Sequence, residues 1–264
     1  MSDQAALFVP DGTAWSPTEY SRGPWSPDAL HGGAVAALVA REVERVDAPE
    51  SVRLTRLTVE LLRPVPLEPL RLSAEVLRPG RKVSTVDVRV ERADDGQVLV
   101  VARAQRIRTD DVDFPDDVDV EIPDLPDQSL DLSGWPGANQ VAFHSHAVEH
   151  RFLRGMFGDA GPAFDWTRLR VPVVPGEAPT GWQRAAATAD FTNGISSVVP
   201  FDGRAMFINP DLTVHLWREP VGEWVGSDAA TRTAPDGIGL AHTTLWDRTG
   251  RIGLGAQSLL LDRP

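Results

Sequence analysis

Six histidines and no cysteine narrow the side chains that could do chemistry in this chain. His144, His146 and His150 recur at even spacing, which on one strand would line them up like metal ligands. No carboxylate or cysteine stands at a matching spacing, so no metal is expected. The chain also lacks G-x-S-x-G, the sharp turn that would expose a serine nucleophile. A different opportunity lies at Leu30-His31-Gly32-Gly33, directly before a run of helical periodicity. A helix start gathers unpaired N–H groups and the positive end of the helix dipole, and glycines let a ligand approach the backbone. His31, Gly32 and Gly33 are therefore candidate ligands for a developing negative charge, with Gly33 the leading donor. The competing readings are close packing of helix on sheet for the glycines and a structural hydrogen bond for His31. Asp190 and Asn193, in a later helical segment, read as caps.

The elements that must hold these residues occur twice. Leu30 to Glu44 places Ala34, Leu38, Val39 and Val43 at helical spacing. Four alternating runs follow, Val52 to Leu62, Leu70 to Arg78, Val83 to Arg92 and Val98 to Arg108. Two short extended segments, near Leu7 and at Ala14 to Tyr20, come before the helix. After an acidic, proline-rich stretch the order recurs, with strands at Ser145 to Met156 and Phe164 to Pro172, a helix at Arg184 to Val199, and four more strands. Leu57-Thr58-Val59 aligns with Leu212-Thr213-Val214, and Ala104-Gln105 with Ala256-Gln257. Self-similarity in register indicates a duplicated unit. The expected organisation is a first α+β unit over 1–109, a connector over 110–135 and a second unit over 136–264. In the alignment Arg56, permanently cationic and unable to act as a base, is the partner of Asp211, and Gln105 is the partner of Gln257.

The chain has 264 residues and a formal charge of −12. An acidic surface repels phosphate backbones, so nucleic acid is not an expected partner. Ten acids and no lysine or arginine fall between Thr109 and Trp135, which suits a solvated connector and leaves the remainder near neutral. A phosphorylated small molecule stays compatible with that balance. No apolar run is long enough to cross a bilayer and no signal-like start is present, so a soluble, cytoplasmic protein without a membrane partner is expected.

Several segments resemble the acyl-coenzyme A thioesterase II family and the related thioesterase-like proteins of actinobacteria. They are Leu30-His31-Gly32-Gly33, Ala189-Asp190-Phe191 with Asn193-Gly194, Asn209-Pro210-Asp211-Leu212-Thr213, and Gly255-Ala256-Gln257-Ser258-Leu259. The resemblance implies an α+β tandem (double) hotdog, two antiparallel sheets each wrapped around a central helix. It also implies hydrolysis of an acyl-CoA thioester to free acid and CoA, in fatty acid metabolism and without a cofactor. In that family an aspartate opening a second-half strand, a hydroxyl on the next strand and a glutamine on the last hold a water. Matching motifs gives Asp211, Thr231 and Gln257, with Thr233 and Ser227 as alternatives for the hydroxyl. Asp211 is the implied base; Thr231 and Gln257 orient the water without ionising. A non-catalytic acyl-binding or scaffold protein is the alternative, with hotdog hydratase chemistry behind it. A homo-oligomer is open, because tandem units can pair again through exposed edges.

Overall fold

The computed structural model describes residues 5–24, 26–114, 121–132, 140–199 and 206–262. The first half contains β1 (Phe8–Asp11), β2 (Ala14–Pro17), α1 (Gly32–Arg45), β3 (Val52–Leu61), β4 (Leu70–Arg78), β5 (Val83–Arg92) and β6 (Val98–Arg108). The second contains β7 (Val148–Arg154), β8 (Ala163–Leu169), α2 (Gly181–Ala189), α3 (Thr192–Ile195) and β9 (Met206–Ile208). It ends with β10 (Asp211–Leu216), β11 (Val225–Thr233), β12 (Ile238–Asp247) and β13 (Gly250–Asp262). The Arg184–Val199 helix expected from sequence is instead two pieces that part at Asp190 and Phe191. The expected Ser145–Met156 strand begins as a π-helical turn, Phe143–Ala147.

The strands do not form two sheets. They make one 13-stranded antiparallel sheet in the order β1-β2-β4-β5-β6-β3-β10-β13-β12-β11-β8-β7, with β9 also on β13. The joint is β3 against β10, from Asp211↔Glu60 to His215↔Arg56. Each half alone would leave that edge with unpaired N–H and C=O groups, and pairing the two edges satisfies both. Thr58 faces Thr213 at the centre, their hydroxyls 3.2 Å apart, and the strand order reads alike outward from that point in both directions. The repeat seen in sequence is thus a pseudo-twofold axis through the joint.

One side of the sheet covers the helices. On β10, Leu212, Val214 and Leu216 turn inward and are buried, while Asp211, Thr213 and His215 face the other way. Every residue from Ala34 to Ala40 of α1 is at most 1% exposed, so the helix is enclosed on all sides, as a helix apolar all round must be. Small side chains allow this: a methyl added at Gly33 would stand 2.7 Å from the Ala187 carbonyl of α2. The two helices run antiparallel, because Gly32 at the start of α1 abuts Asp190 at the end of α2, while Thr180 before α2 bonds Glu44 late in α1. No helix among the described residues is long and apolar enough to cross a membrane.

The connector departs from the solvated strap expected of its composition. Residues 115–120 and 133–139 of it lie outside the described residues, but the segment between them docks on β7 and β8. Trp166 Nε1 donates to the Asp124 carbonyl, Arg248 to that of Pro123 and Arg151 to that of Pro126. Leu125 packs on the Phe164, Trp166 and Trp246 cluster. Proline has no N–H but keeps its carbonyl as an acceptor, so arginine and indole donors can hold such a segment despite its charge.

Glu149 on β7 ties this arrangement together, accepting from the Ser129 hydroxyl, Arg151 and Arg168. Burial by itself raises its pKa, yet these donors outweigh burial and bring it from 4.5 to about 2. A depressed carboxyl pKa contributes stability that is complete above the unfolded value and lost as pH falls through the folded one. Glu149→Gln is therefore expected to cost ~2 kcal/mol in urea unfolding at neutral pH. The gap to wild type should close as pH drops from 4.5 toward about 2. A gap that persists unchanged to the acid end would show that the charge is not what holds the connector.

Candidate active site

The antiparallel helix pair brings the first turn of α1 against the last residue of α2. His31 caps α1, its Nδ1 lying 3.0 Å from the Gly33 N–H. The same atom is 2.9 Å from Asp190 Oδ2. One nitrogen cannot accept from Gly33 and donate to Asp190 together, so the two distances describe alternative tautomers. With Nδ1 bare the Gly33 N–H is engaged; with Nδ1 protonated it is released. Gly32 holds the first helical position, whose N–H has no intrahelical acceptor. A methyl there would meet both carboxylate oxygens of Asp190 at 2.7 Å, so only glycine admits the carboxylate this close.

Asp190 is 6% exposed and gathers donors from three directions. Besides His31, Asn209 Nδ2 donates to its Oδ1 at 3.0 Å and Gln257 Nε2 at 3.2 Å. Gln257 is fully enclosed on the inward face of β13, and its Oε1 accepts the Asn193 N–H at 3.2 Å. Asn209 lies in the two-residue break between β9 and β10, which aims it at α2 and not along a ladder. The Asn193 amide reaches Asn209 Oδ1 at 3.5 Å, closing the ring of polar groups. Around it stand Phe143 and Phe191, each 4.8 Å from the His31 ring, and His144 at 6.5 Å. Burial, with His31, His150 and His146 nearby, holds His144 down to about 3, so it stays neutral at ordinary pH.

The residues expected from sequence divide accordingly. His31, Gly32 and Gln257 meet at this corner. Asp211 does not: it sits on the outer face of β10, and its Oδ1 accepts the Ser258 N–H at 2.7 Å. Strand alternation is the reason, since Leu212 turns inward and its neighbour must turn outward. The carboxylate at the site is Asp190, whose place in the sequence reads only as a helix cap, and Asn209 carries no signal of its own outside its motif. Thr231 faces inward on β11, but its hydroxyl is 2.8 Å from Ser196, and β12 lies between it and Gln257. Thr233 is exposed at the strand end, and the Ser227 hydroxyl pairs with Thr243 at 2.8 Å. The Gly33 N–H, the leading donor from sequence, is the one that His31 caps.

The sister corner also differs from expectation. Thr213 pairs with Ala256 and Thr58 with Arg103, so the position matching Gln257 is Ala104, not Gln105. Ala104 is buried like Gln257, whereas Gln105 turns outward. At that corner Glu44 accepts from Thr180 and Gln183, and Ala104 stands where the other corner has Gln257. The three evenly spaced histidines do not share a strand face, because His144 and His146 lie in the π-helical turn and only His150 in β7. Among the described residues no group of three or more His, Asp or Glu side chains could hold a metal ion.

Solved structures share this architecture. A hot dog fold protein of unknown function from Alicyclobacillus acidocaldarius superposes with TM-score 0.74 at 16% identity, covering 99% of this chain and 98% of that one. An acyl-CoA thioesterase II from Mycobacterium marinum gives TM-score 0.66 at 18% identity, covering 99% and 95%. The tesB protein of Mycobacterium avium subs paratuberculosis gives 0.66 at 17%, covering 97% and 96%. At such identities the likeness establishes the hotdog fold and no more. No curated protein matches the sequence. The acyl-CoA thioesterase N-terminal domain matches residues 21–107 and the C-terminal domain residues 119–261. With both domains present in order and the second alone spanning over half its length, the chain belongs to the acyl-CoA thioesterase family.

Proposed function

We propose that this tandem hotdog chain hydrolyses an acyl-CoA thioester to free acid and CoA, with Asp190 as the base. One observation supports this most: a buried carboxylate meets the open first turn of the facing helix, with Asn209 and Gln257 amides on the same oxygen. A water on Asp190 Oδ1 has those two amides beside it to fix its lone pairs. Its oxygen attacks the thioester carbon while its proton passes to the carboxylate. The carbonyl oxygen, gaining negative charge, takes the Gly32 N–H and, when Nδ1 of His31 carries a proton, the Gly33 N–H as well. The tetrahedral intermediate then collapses, the C–S bond breaks and the proton returns to the departing thiolate. Every atom is accounted for without a covalent enzyme intermediate.

Thiol release from purified protein, followed over acyl-CoA esters of increasing chain length, is the direct test. Turnover that requires Asp190 is the expected result. Tight acyl binding with no thiol released at any length would replace the hydrolase with an acyl-binding protein.

A further inference from the structure

Phe191 links the catalytic corner to a second buried polar group. Its ring lies 4.8 Å from His31 on one side and 4.8 Å from His150 on the other. His150, on β7, is 1% exposed, and its Nδ1 sits 2.6 Å from Oδ2 of Asp165 on β8, which is fully buried. Phe152 and Phe157 complete the surroundings, their ring centroids 6.2 and 4.9 Å away. The other ring nitrogen, Nε2, is enclosed and has no hydrogen-bond partner among the described residues. A buried polar atom left unpaired costs on the order of 1–3 kcal/mol, and apolar side chains of similar volume would fill the space without that cost. Packing therefore gives no account of why this position is a histidine.

The chemistry of the pair decides what Nε2 offers. Burial raises the Asp165 pKa, which favours a protonated carboxyl that donates from Oδ2 to Nδ1 across the 2.6 Å contact. With Nδ1 accepting, the ring hydrogen of the imidazole is on Nε2. The histidine thus holds an N–H that no side chain among the described residues takes, packed among the Phe152, Phe157 and Phe191 rings and one aromatic ring away from the corner where the thioester carbonyl would lie. Resting on the thioesterase reading, we propose that His150, positioned by Asp165, selects acyl groups carrying a hydroxyl or carbonyl oxygen along the chain, with Phe152, Phe157 and Phe191 enclosing the chain around it.

The test compares kcat/KM for a plain acyl-CoA and an oxygenated partner of equal chain length. Wild type should favour the oxygenated ester by at least about tenfold, the worth of one well-made buried hydrogen bond. His150→Phe should lose that preference, its kcat/KM for the oxygenated ester falling about tenfold further than for the plain ester, with circular dichroism reporting the fold. His150→Gln, which keeps an N–H, should recover part of it, and Asp165→Asn should raise KM for the oxygenated ester more than it lowers kcat. Binding of the two free acids, measured by calorimetry, carries the same comparison independently of turnover. Equal treatment of both acids and both esters by wild type, or equal losses on both in His150→Phe, overturns the proposal. Absence of any hydrolysis by wild type counts instead against the thioesterase reading, and leaves the binding comparison to decide the role of His150.

Discussion

Asp190→Asn should lower kcat/KM for acyl-CoA hydrolysis by about a thousandfold, within the range a positioned general base contributes. Asparagine preserves the shape and can still accept from Asn209 and Gln257, so the fold should hold and the loss should fall on kcat. What disappears is the atom that takes the water's proton. Asp211→Asn is the informative control. Its carboxylate faces outward and accepts the Ser258 N–H, as the asparagine carbonyl can also do. That change should stay within about twofold, as surface substitutions do. The opposite pattern, with Asp211→Asn inactive and Asp190→Asn near wild type, would overturn the assignment of the base.

The paired glycines of α1 should separate stability from chemistry. At Gly32 the obstacle to a methyl is the end of a flexible side chain, the two Asp190 oxygens at 2.7 Å. Gly32→Ala should therefore fold, push the carboxylate aside and reduce turnover by roughly a hundredfold, the scale expected when a reacting group shifts by about 1 Å. At Gly33 the obstacle is backbone, the Ala187 carbonyl at 2.7 Å, together with the Phe143 ring at 3.0 Å. α1 and α2 would have to move apart. Gly33→Ala should cost ~1–3 kcal/mol of stability, the usual penalty of overpacking a close contact. Thermal unfolding and single-turnover rates on both variants check this: a melting shift at Gly33 with little at Gly32, and the larger rate loss per unit of stability at Gly32. Equal melting shifts would mean that Asp190 cannot yield and that both positions serve packing.

Much of this protein could be read before any coordinates. Periodicity located α1 and the long strands because one buried face imposes a repeat of 3.6 or 2 on the side chains. The aligned segments around Leu57 and Leu212 disclosed the duplication, since each half must present the same inward residues to its helix. The helix start at His31 is legible because its chemistry is local, a first helical turn having spare N–H groups wherever it is placed, whereas Gln257 is legible through the resemblance of Gly255-Ala256-Gln257-Ser258-Leu259 to the thioesterase family. The connector's docking is not legible in its composition, which records charge but not the arginines and the indole, distant in sequence, that hold its carbonyls.

The choice of carboxylate needed the tertiary structure. Asp211 and Asp190 both stand in recognisable segments, but a one-residue step along β10 decides whether a side chain meets the helices or the outer face. Likewise Ala104 and Gln105 exchange roles in the sister corner because only the register of β3 on β6 says which one turns inward. Asp190 becomes a site residue only because α1 and α2 lie antiparallel and close enough for the end of one to touch the start of the other. The sequence by itself determined the elements, their duplication and the kinds of group available. Which of those groups share a pocket was set by helix crossing and strand register, which depend on contacts between residues far apart in the chain, such as Leu57 with Ala104 and Gly32 with Asp190, and leave no local pattern in it.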